Sequence, residues 1–299
     1  MKNSSFLLLF FAALLVLIHT GCNEDSFSQV VEIDIPQHQP LTVLNGHFST
    51  SDKTFSLLVS SSRGILDTSA FGLPKNAAVT LLKDGIPVTD FSWKEESFKY
   101  ASTSFTGFGQ TGALYRLEVS VPGMPPAYAE QTMPAPVEIQ RAEVKPNGAI
   151  SADGDRVDGL TVDIKDPAGV ENYYAVQLLV RDTVVSPPDT FAYEYRVFLD
   201  TNDPLVSYAE NQLLIFSDAS FEGKTVSLNF YSYDQLDRQK MVLRLYALTR
   251  EGYLYLRSKE DYENANGNPF AEPVTVFSNV EGGYGIFMVS ATTEKIINP

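Results

Sequence analysis

Apolar and polar residues alternate strictly over Tyr115-Arg116-Leu117-Glu118-Val119-Ser120-Val121. A period of two is strand geometry, because successive side chains leave a pleated backbone on opposite faces. The same alternation gathers Phe55, Leu57 and Val59 on one face of residues 55–60, and Val226, Leu228 and Phe230 on one face of 225–233. Further strands are predicted over 41–48, around Val79 and Leu81, and over 137–144, 160–164, 173–181, 193–199 and 241–249. Asp84-Gly85 predicts a tight hairpin turn, where glycine supplies the positive φ. A helix is predicted from Arg250 to about Glu263. Thr249 can cap it, Glu251 suits its positive end, and Asn266-Gly267 stops it. A last strand pair is predicted over 274–277 and 285–290, around a turn at Gly282-Gly283.

Short strands with turn signals about every ten residues indicate sandwiches. Pro122, Pro125, Pro126, Pro134 and Pro136 interrupt them, and proline cannot donate to a sheet ladder. The predicted fold is mainly β, with two β-sandwich-like domains. An N-terminal immunoglobulin- or transthyretin-like sandwich is expected over 39–133. A β-rich domain with one short helix is expected over 134–299. An acidic tether carrying Pro36 occupies 22–38, and a polar loop is expected over 147–159.

The chain opens with Lys2 and an apolar run over 6–18, too short to span a bilayer as a permanent helix. This reads as a signal peptide over 1–21. It ends in Thr20-Gly21-Cys22, which resembles the bacterial lipobox, with His19 standing where an aliphatic residue is usual. Cys22 is the only cysteine. A lone thiol in an exported chain cannot pair within it, and lipidation of Cys22 accounts for it. Asn23-Glu24-Asp25 follows. The acidic pair resembles the signal that sends Bacteroidota lipoproteins to the cell surface; the alternative is a solvated linker on a protein facing the periplasm.

The formal net charge is −15, and no run of Lys and Arg offers a footprint for phosphates, so nucleic acid is excluded as a partner. The 19 Phe and 15 Tyr against one Trp suit pleated sheets. With Cys22 acylated there is no disulfide or thiolate metal site. No second apolar run reaches membrane-spanning length, so contact with the membrane is expected through the lipid alone.

Motifs that carry chemistry are few. Gly282-Gly283-Tyr284-Gly285 leads into Ile286-Phe287-Met288-Val289, a strand pattern, whereas a phosphate loop needs a helix N-terminus behind it. It reads as a structural turn. Asp153, Asp155 and Asp158 crowd a glycine-containing loop, but their spacing is not that of an EF-hand, and a solvated turn is the reading. His38 and His47 are isolated from any second ligand or nucleophile in the sequence. No catalytic, metal or cofactor residue is nominated.

Three groups of residues carry a family resemblance. The first is Asp166-Pro167 with Asn172-Tyr173-Tyr174. The second is Phe216-Ser217-Asp218 with Phe221 and Gly223. The third is Asn268-Pro269-Phe270 and Glu272-Pro273, then Ser278-Asn279-Val280-Glu281-Gly282-Gly283 and Gly285-Ile286-Phe287. Together they resemble the domain of unknown function 4249 family of Bacteroidota outer-membrane lipoproteins. The resemblance implies a two-part β-rich lipoprotein, often encoded beside a TonB-dependent outer-membrane receptor, and it brings no catalytic residues. The expected function is non-enzymatic binding of a ligand or partner for such a transport system. The alternatives are a carboxylate-based hydrolase and a structural or adhesive envelope protein. The segment 268–287 is expected to close the second domain, with a binding role for Asn279 and Glu281 as the alternative.

Replacing Cys22 by Ala should move the protein from the membrane to the soluble fraction. Retention of Cys22→Ala in outer membranes after a high-salt wash would refute the anchor.

Overall fold

Alternation in the sequence becomes strand in the structure, a computed structural model that describes residues 37–69, 72–103, 109–186, 189–236 and 240–298. The signal segment, Cys22 and Glu24-Asp25 lie outside the described residues. The first eight strands are β1 (Thr42–Ser49), β2 (Ser56–Ser61), β3 (Ala78–Lys83), β4 (Ile86–Thr89), β5 (Phe91–Lys94), β6 (Lys99–Ser102), β7 (Leu114–Ser120) and β8 (Ala127–Thr132). Next come β9 (Ile139–Ile150), β10 (Arg156–Lys165), β11 (Tyr173–Ser186), β12 (Asp189–Val197), β13 (Ser207–Ala209), β14 (Leu213–Ser217), β15 (Thr225–Ser232) and β16 (Met241–Leu248). Helix α1 (Arg250–Ala265) and the long strand β17 (Gly283–Ile297) follow.

The fold is mainly β, as expected. A ten-stranded sheet runs β13-β14-β11-β16-β17-β1-β2-β6-β5, with β12 also paired to β11. Two smaller sheets, β4-β3-β7-β8 and β15-β10-β9, complete it. One core packs Leu44, Phe48, Phe55, Leu57, Phe287 and Val289 against Leu81, Tyr115, Leu117 and Val119 of the four-stranded sheet. The other packs Tyr174, Val176, Leu243, Leu245, Ala291 and Ile297 against Leu160, Val162, Leu228 and Phe230 of the three-stranded sheet. Phe287, Val289, Ala291 and Ile297 are odd-numbered positions of one strand and so share a face. Both small sheets therefore cover the same side of the large one. In the first core the Phe48 ring meets Phe55 at 5.2 Å, Tyr115 at 5.1 Å and Phe287 at 6.0 Å. Each fully buried ring contributes roughly 1.5–3 kcal/mol through burial.

The even-numbered side of β17 faces the helix. Ile286 and Met288 pack with Ala175, Ile215, Tyr253 and Leu256. The Thr249 hydroxyl accepts the Gly252 N–H at 3.2 Å, the predicted cap, and α1 runs two residues past the predicted end.

Strand β17 differs most from expectation. Its first half pairs in parallel with β1, from Thr42↔Gly283 to Ser49↔Ser290. Its second half pairs antiparallel with β16, from Leu248↔Ser290 to Met241↔Ile297. Instead of closing the second half of the chain alone, it contributes to both cores. The predicted strand at 274–277 does not form. Where β16 stops, the side chain of Asn279 takes a strand's place, donating to the Phe287 carbonyl at 2.8 Å and accepting its N–H at 3.0 Å.

Two other expectations change. Within 122–136 lies β8, whose six residues contain no proline, so its donors are intact and it pairs β7 from Leu114↔Thr132 to Val119↔Ala127. Met133 belongs to the first core and Val137 to the second. The polar loop predicted over 147–159 is shorter, because β9 runs to Ile150 and β10 begins at Arg156. Asn147 adopts φ 50, and the register shifts between Val157 and Gly159 let pairing resume beyond it. By contacts the chain divides into Met1–His38 and Gln39–Pro299. Among the described residues no helix is long and apolar enough to cross a membrane.

Gly285 sits at φ +105, and a Cβ there would lie 1.9 Å from the Leu44 carbonyl oxygen of β1. Gly123 has φ +85 but open space around it. Gly285→Ala should therefore cost clearly more than the ~1–2 kcal/mol of left-handed strain expected for Gly123→Ala. Thermal unfolding of the two variants checks this; equal losses would mean β1 and β17 do not approach so closely.

Candidate functional site

The family-like residues fall mostly on structural joints. Asp166 is buried and accepts from the Tyr174 hydroxyl and, at 2.6 Å, from the Gly223 N–H. Burial, and after it the Asp166 hydrogen bond, pushes the Tyr174 phenol well above its usual value, so it stays a donor. Asp218, also buried, accepts the Asn172 N–H at 2.8 Å. The Asn172 side-chain amide donates to the carbonyls of Pro167 at 3.1 Å and Val170 at 2.8 Å. Two loops are fastened to each other this way. Glu281 is joined to Tyr128 by a backbone bridge and by its carboxylate, so Asn279 and Glu281 both hold the chain entering β17.

The other candidates from the sequence are also accounted for. Asp158 accepts the Asn147 N–H at 2.8 Å and the Leu236 N–H at 2.9 Å, one on each oxygen. Asp153 receives the Tyr233 hydroxyl at 3.2 Å, and the Asp155 N–H donates to the Ser151 hydroxyl at 3.1 Å. Among the described residues no three acidic or histidine side chains are grouped to hold a metal. Cys22 lies outside the described residues, and His38 is exposed.

His47 leads to the site that the sequence did not reveal. It stands on the helix side of the large sheet, in a crevice of about 250 Å³ lined by Gln177, Arg196, Asn211, Tyr246, Leu256 and Met288. Around Gln177, Arg196 and Tyr246 the crevice opens into a shallower depression of about 540 Å³ that reaches Glu194, Gln212 and Arg244. One lip is the short turn Glu210–Gln212, and the other is β12. Asn211 and Gln212 are both left-handed, at φ 61 and φ 59. Non-glycine residues pay for that conformation, and it persists only where neighbours impose it. Here Gln177 donates to the Asn211 carbonyl at 2.8 Å, and Lys259 of α1 holds the Glu210 carboxylate at 2.8 Å.

Electrostatics divide the crevice in two. On the floor of the depression, Arg244 meets Glu294 at 2.6 Å and Glu194 at 3.2 Å, while Arg181 meets Glu194 at 2.8 Å and Glu294 at 3.0 Å. Hydrogen bonding from Arg181 holds the Glu294 carboxyl below its usual range; burial opposes this and Arg244 reinforces it. Arg196 is different. Among the described residues it has no ion-pair partner, and its exposed guanidinium stands at the mouth shared by both hollows. At the far end the His47 imidazole contacts the Ser290 hydroxyl at 2.8 Å and meets the Tyr246 ring edge-on at 6.3 Å. Desolvation of the imidazole pushes the His47 pKa down to about 4, against an upward pull from the Asp52 carboxylate. His47 is an exposed residue of β1, so water offsets part of that push.

Fold and site together define a mainly β protein that carries an open polar crevice on the helix side of its large sheet. The chain belongs to the family described as Domain of unknown function (DUF4249), whose sequence model matches residues 29–296. No curated protein matches it.

A histidine whose pKa is lower folded than unfolded takes up a proton more readily when unfolded, so protonation favours unfolding. Its contribution to stability is complete above 6.5 and is lost as pH falls towards about 4. His47→Gln should flatten the fall in melting temperature over this window. An unchanged slope would show that His47 keeps an ordinary pKa.

Proposed function

We propose that the protein is a surface-anchored, non-enzymatic outer-membrane lipoprotein that binds a ligand or partner for a TonB-dependent transport system, using the crevice between the Glu210–Gln212 turn and β12. The observation that carries the binding reading is Arg196, which lines both hollows at their shared mouth beside Gln177, Tyr246 and a strained turn. A planar cation with several donors, next to amide and phenol groups, suits a carboxylate or other polar anionic group on a small molecule or peptide. The anchor reading is supported by the apolar leader and Thr20-Gly21-Cys22 in the sequence.

The hydrolase alternative needs a carboxyl kept protonated near neutral pH as a general acid. Beside this crevice Glu294 has the opposite environment. Glu294 is held down by guanidinium contacts, and Glu194 is bonded by Arg181 and Arg244. Such a floor balances two guanidinium groups against two carboxylates, which suits recognition.

Affinity capture from solubilised native outer membranes tests the reading, with the wild-type chain and Arg196→Glu compared side by side. A co-purifying transport component should fall by about tenfold or more in the variant, the scale of one lost charged hydrogen bond, at unchanged melting temperature. Equal capture by both chains would remove the crevice from the binding reaction.

A further inference from the structure

The crevice at Arg196 lies where β11 changes neighbours. Along one edge β11 pairs β14 as far as Val176 and β12 from Leu178 onwards. Gln177 falls between the two ladders, and the Glu210–Gln212 turn and β12 part at that point.

The inner hollow and the outer depression differ in character. The wall of the inner hollow is apolar: Ala175, Leu213, Leu248, Leu256 and Met288 all belong to the cluster that seats α1. The polar groups around it are neutral or already paired. Burial keeps the Tyr246 phenol protonated and the His47 imidazole uncharged at neutral pH. Lys259 holds the Glu210 carboxylate at 2.8 Å, and the Gln177 amide is committed to the Asn211 carbonyl at 2.8 Å. Arg196 is the exception, a positive charge at the mouth with no ion-pair partner among the described residues. Beyond it lies the outer depression, floored by two guanidinium groups and two carboxylates that balance each other. An apolar hollow of about 250 Å³ and a polar depression of about 540 Å³ thus meet at one cation.

We propose that this crevice binds the free C-terminal end of a peptide, with the α-carboxylate on the Arg196 guanidinium, an apolar last side chain in the inner hollow, and the preceding residues across the depression. The proposal rests on the binding reading of the crevice and names its ligand class. A guanidinium offers parallel N–H donors in one plane, the geometry a carboxylate accepts, and capture of a terminal carboxylate is a recurring mode of peptide recognition. In a C-terminal residue the carboxylate and the side chain leave the same carbon, so they reach the mouth and the hollow together. An internal acidic residue has nothing apolar beyond its carboxylate. A short fatty acid would fill the hollow and leave the depression empty, whereas the amides of a peptide suit a polar floor.

Isothermal titration calorimetry on the full-length protein in nanodiscs tests this, with a hexapeptide ending in leucine as the probe. Its free acid, its C-terminal amide and a free acid ending in glycine are compared on the wild-type chain and on Arg196→Gln. The leucine acid should bind about tenfold or more tighter than its amide, the scale of one charged hydrogen bond. Arg196→Gln should abolish that difference and leave the amide unchanged, a coupling that general loss of structure would not produce. The glycine acid should bind about tenfold or more weakly than the leucine acid, the scale of one buried aliphatic side chain. Equal binding of acid and amide by the wild-type chain overturns the proposal, and so does equal binding of the leucine and glycine acids. Hexanoate that binds through Arg196 where the peptides do not bind would mark the ligand as a small carboxylate and also overturn it. If no probe binds, yet capture from outer membranes still falls in Arg196→Glu, the crevice reading stands and the peptide proposal alone fails. If no probe binds and capture is equal, both fail.

Discussion

The pairing of β17 on both of its edges is the constraint on which the rest of the structure depends. The strand belongs to β1 before Ser290 and to β16 after it, so its backbone bonds tie the start of the described chain to its end. Its alternating side chains then divide the interior. Phe287 and Val289 complete one core, Ala291 and Ile297 complete the other, and Ile286 and Met288 seat the helix on the opposite face. A residue shift in this strand would move all three sets at once, because one step exchanges the faces of a sheet.

The residues that carry the family resemblance follow from that constraint. Gly285 is required where β17 closes on Leu44, and Asn279 replaces the missing neighbour of Phe287. The buried carboxylates of Asp166 and Asp218, with the Asn172 amide, satisfy backbone groups at loops that have no ladder to bond to. Buried polar groups of this kind are costly when unpaired and effective as fasteners when paired. Phe270 stands apart from them. It is presented by an equally well-bonded turn but contributes to no core.

Helix α1 covers only part of the face it packs on, and the crevice is the uncovered remainder. Its floor comes from β11, β16 and β1, its lips from β12 and the Glu210–Gln212 turn. The four-residue network of Arg181, Arg244, Glu194 and Glu294 is satisfied internally, which leaves Arg196 as the cation facing solvent at the mouth. Site and fold are thus linked. The same β16–β17 pairing that joins the cores places Arg244 opposite Glu294.

Local signals determined much of this protein. Alternation located β7 and β15 within a residue or two, and a cap followed by Asn-Gly located α1, because side-chain period and capping are properties of the chain itself. The β-rich class and the family followed from the same residues. The short β5, β6, β13 and β14 carry too few periods to stand out, and β8 was hidden by the prolines on both sides of it. What only the tertiary structure decided were the long-range partnerships: the parallel union of β1 with β17, the split allegiance of β17, and the gathering of His47, Gln177, Arg196 and Tyr246 from four strands into one crevice. No local period encodes which strand another will choose. That choice comes from closing cores whose members lie far apart in the sequence.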